Sequence, residues 1–386
     1  MIKIAVITST RADFGLLMPV IKALRFYENH KVVVELVVTG THLSNAHGNT
    51  IKEIEMMDIR IDQKVEVSVK SNNAIDISMN QAEILVKFTE LFLQQKYNAI
   101  ILLGDRYELL SIAIAAGNTQ TPIFHLCGGD TTEGAVDEWI RHSISKMSYL
   151  HFVTNEESYR RVLQLGEDKD RVFNYGSTSI DNILSISPIK KVEALKELGL
   201  NDCKYAICTF HPTTLDNYDV SVQMNNLFKA IKSFPQIEFI FTKSNADQGG
   251  NIINNMLDVA NLKIDNLHVY SSLGVVRYLS LMRYAEFVIG NSSSGIVETP
   301  AFSIPTINIG DRQKGRLQSE SIINCNYEIQ SIVTAINRAL SSKFKEICKT
   351  VKSPYGDGHA AERIADKIMD VVNRGDINLK KRFCDL

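Results

Sequence analysis

The chain has 386 residues, 45% of them hydrophobic and 22% charged, with a net charge of −2. That length exceeds one ordinary core and predicts two domains, while the balanced charge excludes a general nucleic-acid binder, which needs a concentrated positive surface. The start MIKIAVITST lacks the charged head and long apolar middle of a secretory signal, and the apolar runs fall far short of the about 20 residues that span a bilayer. Cys127, Cys203, Cys208, Cys325, Cys348 and Cys384 form no CxxC pair, so no zinc site or disulfide framework is expected and a reduced cytoplasmic compartment fits.

In chain order, Lys3 to Thr8 is a continuous apolar run suited to a strand buried on both faces. Helical spacing follows from Phe14 to Phe26, with Pro19 predicting either a later start near Met18 or a kink. Strands are expected at Val32–Thr39, Lys64–Val69, Ala99–Leu103, Pro122–Leu126, Leu150–Thr154 and Val172–Tyr175, and helices at Thr50–Met57, Ala74–Gln95, Tyr107–Gly117, from Asp137, and at Glu156–Leu165. SISPIKK, from Ser185 to Lys191, is a turn and a candidate boundary. A second alternating set runs from the strand Tyr205–Phe210 to the strand Thr306–Ile309, including a helix over Gly295–Phe302, and helices near Ile329–Leu340 and Ala360–Asn373 close the chain. Such alternation predicts an α/β protein with two doubly wound parallel sheets. Their strand C-terminal edges are where ligands bind, and two of them predict an interdomain cleft. Lys380-Lys381-Arg382 reads as a solvated tail.

Chemistry concentrates between Gly104 and His142, where Asp105, Asp130 and Asp137 fall just after strands or in the loop that follows one. Arg106 and Arg141 stand beside them. Arg11, after the first strand, is placed to clamp a phosphate or to be a surface charge. In the second half, Ser292, Ser293 and Ser294 follow a strand and open a helix, an arrangement that offers N–H and hydroxyl donors to an anion. Glu298, one turn on, could accept two sugar hydroxyls, which together suggests a nucleotide diphosphate; the plainer reading is a serine-rich N-cap with a solvated glutamate. The loop holding Asn245 and Asp247 could hold phosphate or base, or be a turn; Arg312 could pair with phosphate, or be a loop charge. His211 follows a strand end as an acid, a base, a phosphate donor or a structural histidine, and His125 reads as a satisfied core histidine. GxGxxG, Walker A and GxSxG signatures are absent, and no metal constellation is visible.

The segments TSTRADFG, VTGTHLSNAHGNT, LLGDRYE, HLCGGDTTEGAVDEWIRHSISKMSYLHF, LGEDKDRVFNYGS, FHPTT, IGNSSSGIVETP, INIGDRQKGR and SPYGDGHAAERI, in this order, resemble the hydrolysing UDP-N-acetylglucosamine 2-epimerases of sialic-acid synthesis. The resemblance implies a GT-B-like architecture: a catalytic Rossmann-like domain over residues 1–180, a UDP-binding one over 181–361, and a last helix, about 362–386, packed back on the first. It implies conversion of UDP-GlcNAc and water to N-acetylmannosamine (ManNAc) and UDP, by anti elimination to 2-acetamidoglucal and then hydration. It further implies no metal or NAD cofactor, no nucleic-acid or membrane partner, and a homodimer or homotetramer. Asp105, Asp130, Asp137 and His211 fall on the family's catalytic positions. Arg11, Ser293 and Arg312 fall on phosphate-side positions, and Glu298 on the ribose carboxylate. The family usually carries Glu where this chain has Asp130, and often an acid or histidine where it has Cys127; Glu133 could substitute for the shorter acid. Those departures leave room for a different substrate, a UDP-2,4-diacetamido-2,4,6-trideoxyhexose. A non-hydrolysing 2-epimerase and a GT-B glycosyltransferase share the same nucleotide cleft and stay open on these residues.

Overall fold

The computed structural model describes residues 1–29, 31–44, 49–70, 73–132, 136–213, 219–244 and 250–385. The chain divides into two compact units. Unit 1 comprises Met1–Asp130, Asp137–Asn182 and Tyr355–Leu386; unit 2 comprises Thr131–Val136 and Ile183–Pro354.

Unit 1 alternates β1 (Ile2–Thr8), α1 (Arg11–Arg25), β2 (Val32–Thr39), α2 (Ile51–Met56), β3 (Gln63–Val65), α3 (Ala74–Gln95), β4 (Ala99–Leu103), α4 (Tyr107–Asn118), β5 (Ile123–Leu126), α5 (Asp137–Met147), β6 (Leu150–Val153), α6 (Glu156–Gln164) and β7 (Val172–Asn174). Helix α7 (Thr178–Ser185) leads out of it. The sheet is parallel, ordered β3-β2-β1-β4-β5-β6-β7. Successive residues of β1 divide between two cores: Ile4 and Val6 join one face, Ala5 and Ile7 the other. Burial on both faces is why these strands are apolar runs rather than alternating ones.

Helix α1 runs unbroken through Pro19. A proline removes the bond to the carbonyl four residues back, here Gly15. The helix thus starts at Arg11 rather than near Met18, and the Asn182 side-chain amide donates to the Gly15 carbonyl at 2.7 Å, a repair from a distant residue.

Unit 2 contains α8 (Lys191–Lys196), β8 (Tyr205–Thr209), α9 (Val220–Lys232), β9 (Glu238–Thr242), α10 (Gly250–Asn261), β10 (Leu267–Tyr270), α11 (Val275–Tyr284), β11 (Phe287–Gly290), α12 (Ser293–Val297), β12 (Thr306–Ile309), β13 (Ile322–Cys325), α13 (Ile329–Leu340) and α14 (Ser342–Thr350). Its parallel sheet is ordered β10-β9-β8-β11-β12-β13. The helix expected over Gly295–Phe302 is instead the five-residue α12 followed by a 3-10 turn, Thr299–Phe302, with Pro300 at its start. Pro300 cannot donate to a continuing α ladder.

Helix α15 (Ala360–Arg374) rejoins unit 1, burying Ala361, Ile364, Ala365, Ile368 and Val372 in the core beside α1. The Asp181 carboxylate accepts from the amides of Ala360 and Ala361 at its first turn, at 3.3 and 2.7 Å. Beyond α15, Lys380, Lys381 and Arg382 are exposed as expected, but the Lys381 ammonium is not simply solvated. Lys381 Nζ donates to the carbonyls of Lys146 and Ser148 at 2.7 and 2.8 Å, and sits 2.6 Å from a Glu167 oxygen. A buried carboxylate requires such cations, which a reading of local composition does not see.

Candidate active site

In each sheet the strand order reverses next to the strand that begins the unit, at β1/β4 and at β8/β11. Loops leaving the strand C-terminal ends at such a switch point form the favoured ligand crevice of an open parallel sheet. Arg11, Asp105 and Arg106 leave β1 and β4 in unit 1; His211 and Ser292–Ser294 leave β8 and β11 in unit 2.

In unit 1, Arg11 is the first residue of α1, and the loop before it is fixed by Asp13. The buried Asp13 carboxylate accepts from the Ser9 hydroxyl at 2.9 Å, from the Ser9 amide at 3.1 Å, and from the Thr8 hydroxyl. His42 faces the Thr8 hydroxyl at 3.0 Å, and burial lowers the His42 pKa.

Asp105, the Asp130 main chain and Glu138 gather around Arg141. The inner face of α5 sets Ile140 and Ile144 into the core and carries Arg141 and Ser145 beside them, all four buried. The Arg141 guanidinium donates to the Asp105 carboxylate, to the carbonyl of Asp130 at 2.6 Å, and to Glu138 at 3.3 Å. Burial alone would lower its pKa, but Asp105, Asp130 and Glu138 outweigh that and leave it raised. Ser145 and the Gly104 carbonyl hold His125, which faces them at 3.1 and 2.8 Å. Asp130 lies deeper than Asp105: its Oδ1 accepts from the hydroxyls of Thr154 and Ser158 at 2.9 and 2.6 Å and from the Asn155 amide at 3.4 Å. Asp137 heads α5, where the N-terminal dipole favours a carboxylate. Arg106 caps α4 and donates to the buried Glu108 at 3.2 Å.

In unit 2, Asn291 makes the central clasp. Its Oδ1 accepts from the His211 amide at 2.7 Å, its Nδ2 donates to the His211 carbonyl at 2.8 Å, and its own carbonyl accepts from Arg312 and Gln313 at 3.1 and 2.8 Å. Gly290, just before it, is required: a Cβ there would stand 1.9 Å from the Thr209 carbonyl oxygen. The His211 ring faces the Ser244 hydroxyl at 3.2 Å. Ser292 caps α12, and its hydroxyl accepts from the Ser294 amide. The Ser294 hydroxyl bridges Tyr278 and Glu298. Burial pushes the Glu298 carboxyl up to about 7, partly offset by the Ser294 hydrogen bond. Asn245, Asp247 and Glu133 lie outside the described residues.

Sequence reasoning passed over Glu138, Asn291, Tyr278 and the Asp13–His42 pair as site residues. Glu138 carried a signal, lying three and four residues before Arg141 and His142 on one helix face; it sits 3.1 Å from the His142 ring. Among the described residues no group of three or more His, Cys, Asp or Glu is arranged to hold a metal ion, and no helix is long and apolar enough to cross a membrane.

Two Rossmann-like units, each a parallel sheet whose order reverses beside its first strand, define a GT-B-like α/β protein. The UDP-N-acetylglucosamine 2-epimerase family model matches residues 25–369, and the chain belongs to that family. It is 38% identical to the polysialic acid biosynthesis protein P7 of Escherichia coli, over 96% of this chain and 94% of that one. It is also 38% identical to a hydrolysing GDP/UDP-N,N'-diacetylbacillosamine 2-epimerase of Campylobacter jejuni, over 100% of this chain and 99% of that one. Among solved structures, the Neisseria meningitidis UDP-GlcNAc 2-epimerase bound to UDP-GlcNAc shares the fold, with a TM-score of 0.79, 17% identity, and coverage of 96% and 100%.

Proposed function

We propose that this chain is a hydrolysing 2-epimerase that converts UDP-N-acetylglucosamine and water to N-acetylmannosamine and UDP. The observation that carries this reading is the gathering of Asp105, the Asp130 carbonyl and Glu138 on one buried guanidinium at the unit 1 sheet edge. Within unit 2 this reading assigns Glu298 to the ribose diol, and Ser292–Ser294, Arg312 and His211 to the diphosphate. In the first step a carboxylate of the Asp105, Asp130 and Asp137 set removes the carbon-2 proton as the anomeric C–O bond to UDP breaks, leaving 2-acetamidoglucal. Carboxylates nearby stabilise the oxocarbenium character that builds at carbon 1. In the second, water adds to carbon 1 while a proton returns to carbon 2 on the opposite face. Inversion therefore requires acid and base on both faces, which suits several acids better than one.

Incubation with UDP-GlcNAc in D2O tests this: NMR should show free UDP and N-acetylmannosamine carrying deuterium at carbon 2. Recovery of UDP-ManNAc would replace the reading by a non-hydrolysing epimerase, and consumption only with an added acceptor by a glycosyltransferase. A second substrate, a UDP-2,4-diacetamido-trideoxyhexose, is favoured by the full-length similarity to the Campylobacter protein. Asp130, one methylene shorter than the glutamate usual there, points the same way. The same assay on that sugar decides between them.

A further inference from the structure

We propose that Arg141 is a positioning residue for the reaction, acting on the substrate only through the carboxylate of Asp105. This rests on the proposed epimerase reading and assigns a role within it. The side chain is almost wholly inaccessible, at 2% exposure, whereas that of Asp105 is 24% exposed. Its donors go to groups from three separate elements: Asp105 after β4, the Asp130 carbonyl after β5, and Glu138 one turn back on α5. A planar guanidinium presents five donors in a fixed fork, so it fixes direction as well as charge. The carboxylate of Asp105 is thereby held through one oxygen at the exposed end of a pair whose other end is sealed. Asp130 is anchored independently by Thr154, Asn155 and Ser158 at its side chain, so the loop after β5 keeps three holds when the Arg141 contact to its carbonyl is removed. Near-attack geometry is sensitive at the level of about 1 Å, and a side chain that never touches substrate can control it.

The groups facing Arg141 are Asp105, Asp130, Glu138 and the His125 ring. Replacing Arg141 by Met removes their shared cation, and a carboxylate losing a positive neighbour titrates higher. The acid limb of the kcat/KM profile should therefore move to higher pH in Arg141→Met, whereas a merely structural loss would lower the profile without moving it. We expect kcat to fall on the order of 100-fold, with the Kd for UDP, measured by calorimetry, within about two-fold of wild type. Arg141→Lys, which keeps the charge but not the fork, guards against a variant that does not fold; it should recover the limb position and only part of kcat. The decisive measurement is a cycle with Asp105→Asn. If Arg141 works through Asp105, the double variant is no slower than Asp105→Asn alone. Multiplying losses, or a tenfold rise in the Kd for UDP with kcat intact, would overturn the proposal. Failure of the wild-type protein to turn over UDP-GlcNAc or its 2,4-diacetamido analogue would overturn the functional reading and this role with it.

Discussion

The ring of His125 faces the Gly104 carbonyl oxygen at 2.8 Å, immediately before Asp105. A carbonyl only accepts, so Nε2 carries the proton and donates, and Nδ1 accepts from the Ser145 hydroxyl. Burial lowers the His125 pKa to about 4, from an ordinary 6.5. The histidine read as a core residue thus also sets the turn that presents Asp105.

That tautomer gives a pH prediction. Between about 6.5 and about 4 the unfolded chain binds a proton at His125 and the folded one does not. Stability linked to this group is therefore present above 6.5 and lost as pH falls through that window. Thermal melts of the wild type and His125→Gln across pH 4 to 7 should show a shallower acid slope in the variant. Equal slopes would mean that the ring is protonated in the folded state.

Asp130 offers a separation of stability from chemistry. Its Oδ1 takes three side-chain donors at the start of α6. Asp130→Ala leaves those buried donors unmatched and should cost about 1–3 kcal/mol, read by urea denaturation. Asp130→Asn keeps an acceptor at that position and should cost less. Retained turnover in Asp130→Asn would assign proton transfer to Asp105 and Asp137.

The sheets were legible because their strands are short apolar runs bounded by turn residues, as in Ala99–Leu103 and Tyr205–Thr209. What the sequence hid depends on partners far along the chain. Pro19 predicts a start near Met18 only until Asn182 is seen to satisfy Gly15, and the Lys381 ammonium reads as solvated only until Glu167 is seen to need it. Strand β13 and helices α8 and α14 are short enough for tertiary packing to decide them. At the site, residue types and sheet edge could be read, since Asp105 and His211 follow strands. The Arg141 fork could not, because its three partners come from three elements.

The tail should stabilise unit 1 in a pH-dependent way. Glu167 is buried, and hydrogen bonds from His151, Lys381 and Lys146 outweigh desolvation to hold its carboxyl at about 2. A folded pKa below the unfolded 4.5 gives stability present above 4.5 and lost as pH falls toward 2. Lys381→Met removes one of those cations and should cost about 1–3 kcal/mol at neutral pH, with a smaller difference from wild type at pH 3. A constant difference across that range in denaturant melts would remove the link.

If Glu298 takes the ribose diol, as proposed, nucleotide binding is a proton-linked event. Desolvation at this half-buried site raises the Glu298 carboxyl to about 7, and the Ser294 hydroxyl, which favours the charged form, offsets part of that shift. A ribose diol donates two hydrogen bonds, and donors favour the carboxylate over the acid. Binding of UDP should then release a proton below about pH 7, and affinity should rise with pH up to that point and level off above it. Calorimetry at pH 6.5 in two buffers of different ionisation heat measures the proton directly. The UDP phosphate also titrates in this range, so the comparison is with Glu298→Gln, which cannot release a proton. The variant should bind about ten-fold more weakly, for the loss of a charge-assisted pair of about 1.5–3 kcal/mol against a neutral one. Identical proton release in wild type and Glu298→Gln would place the ribose away from Glu298.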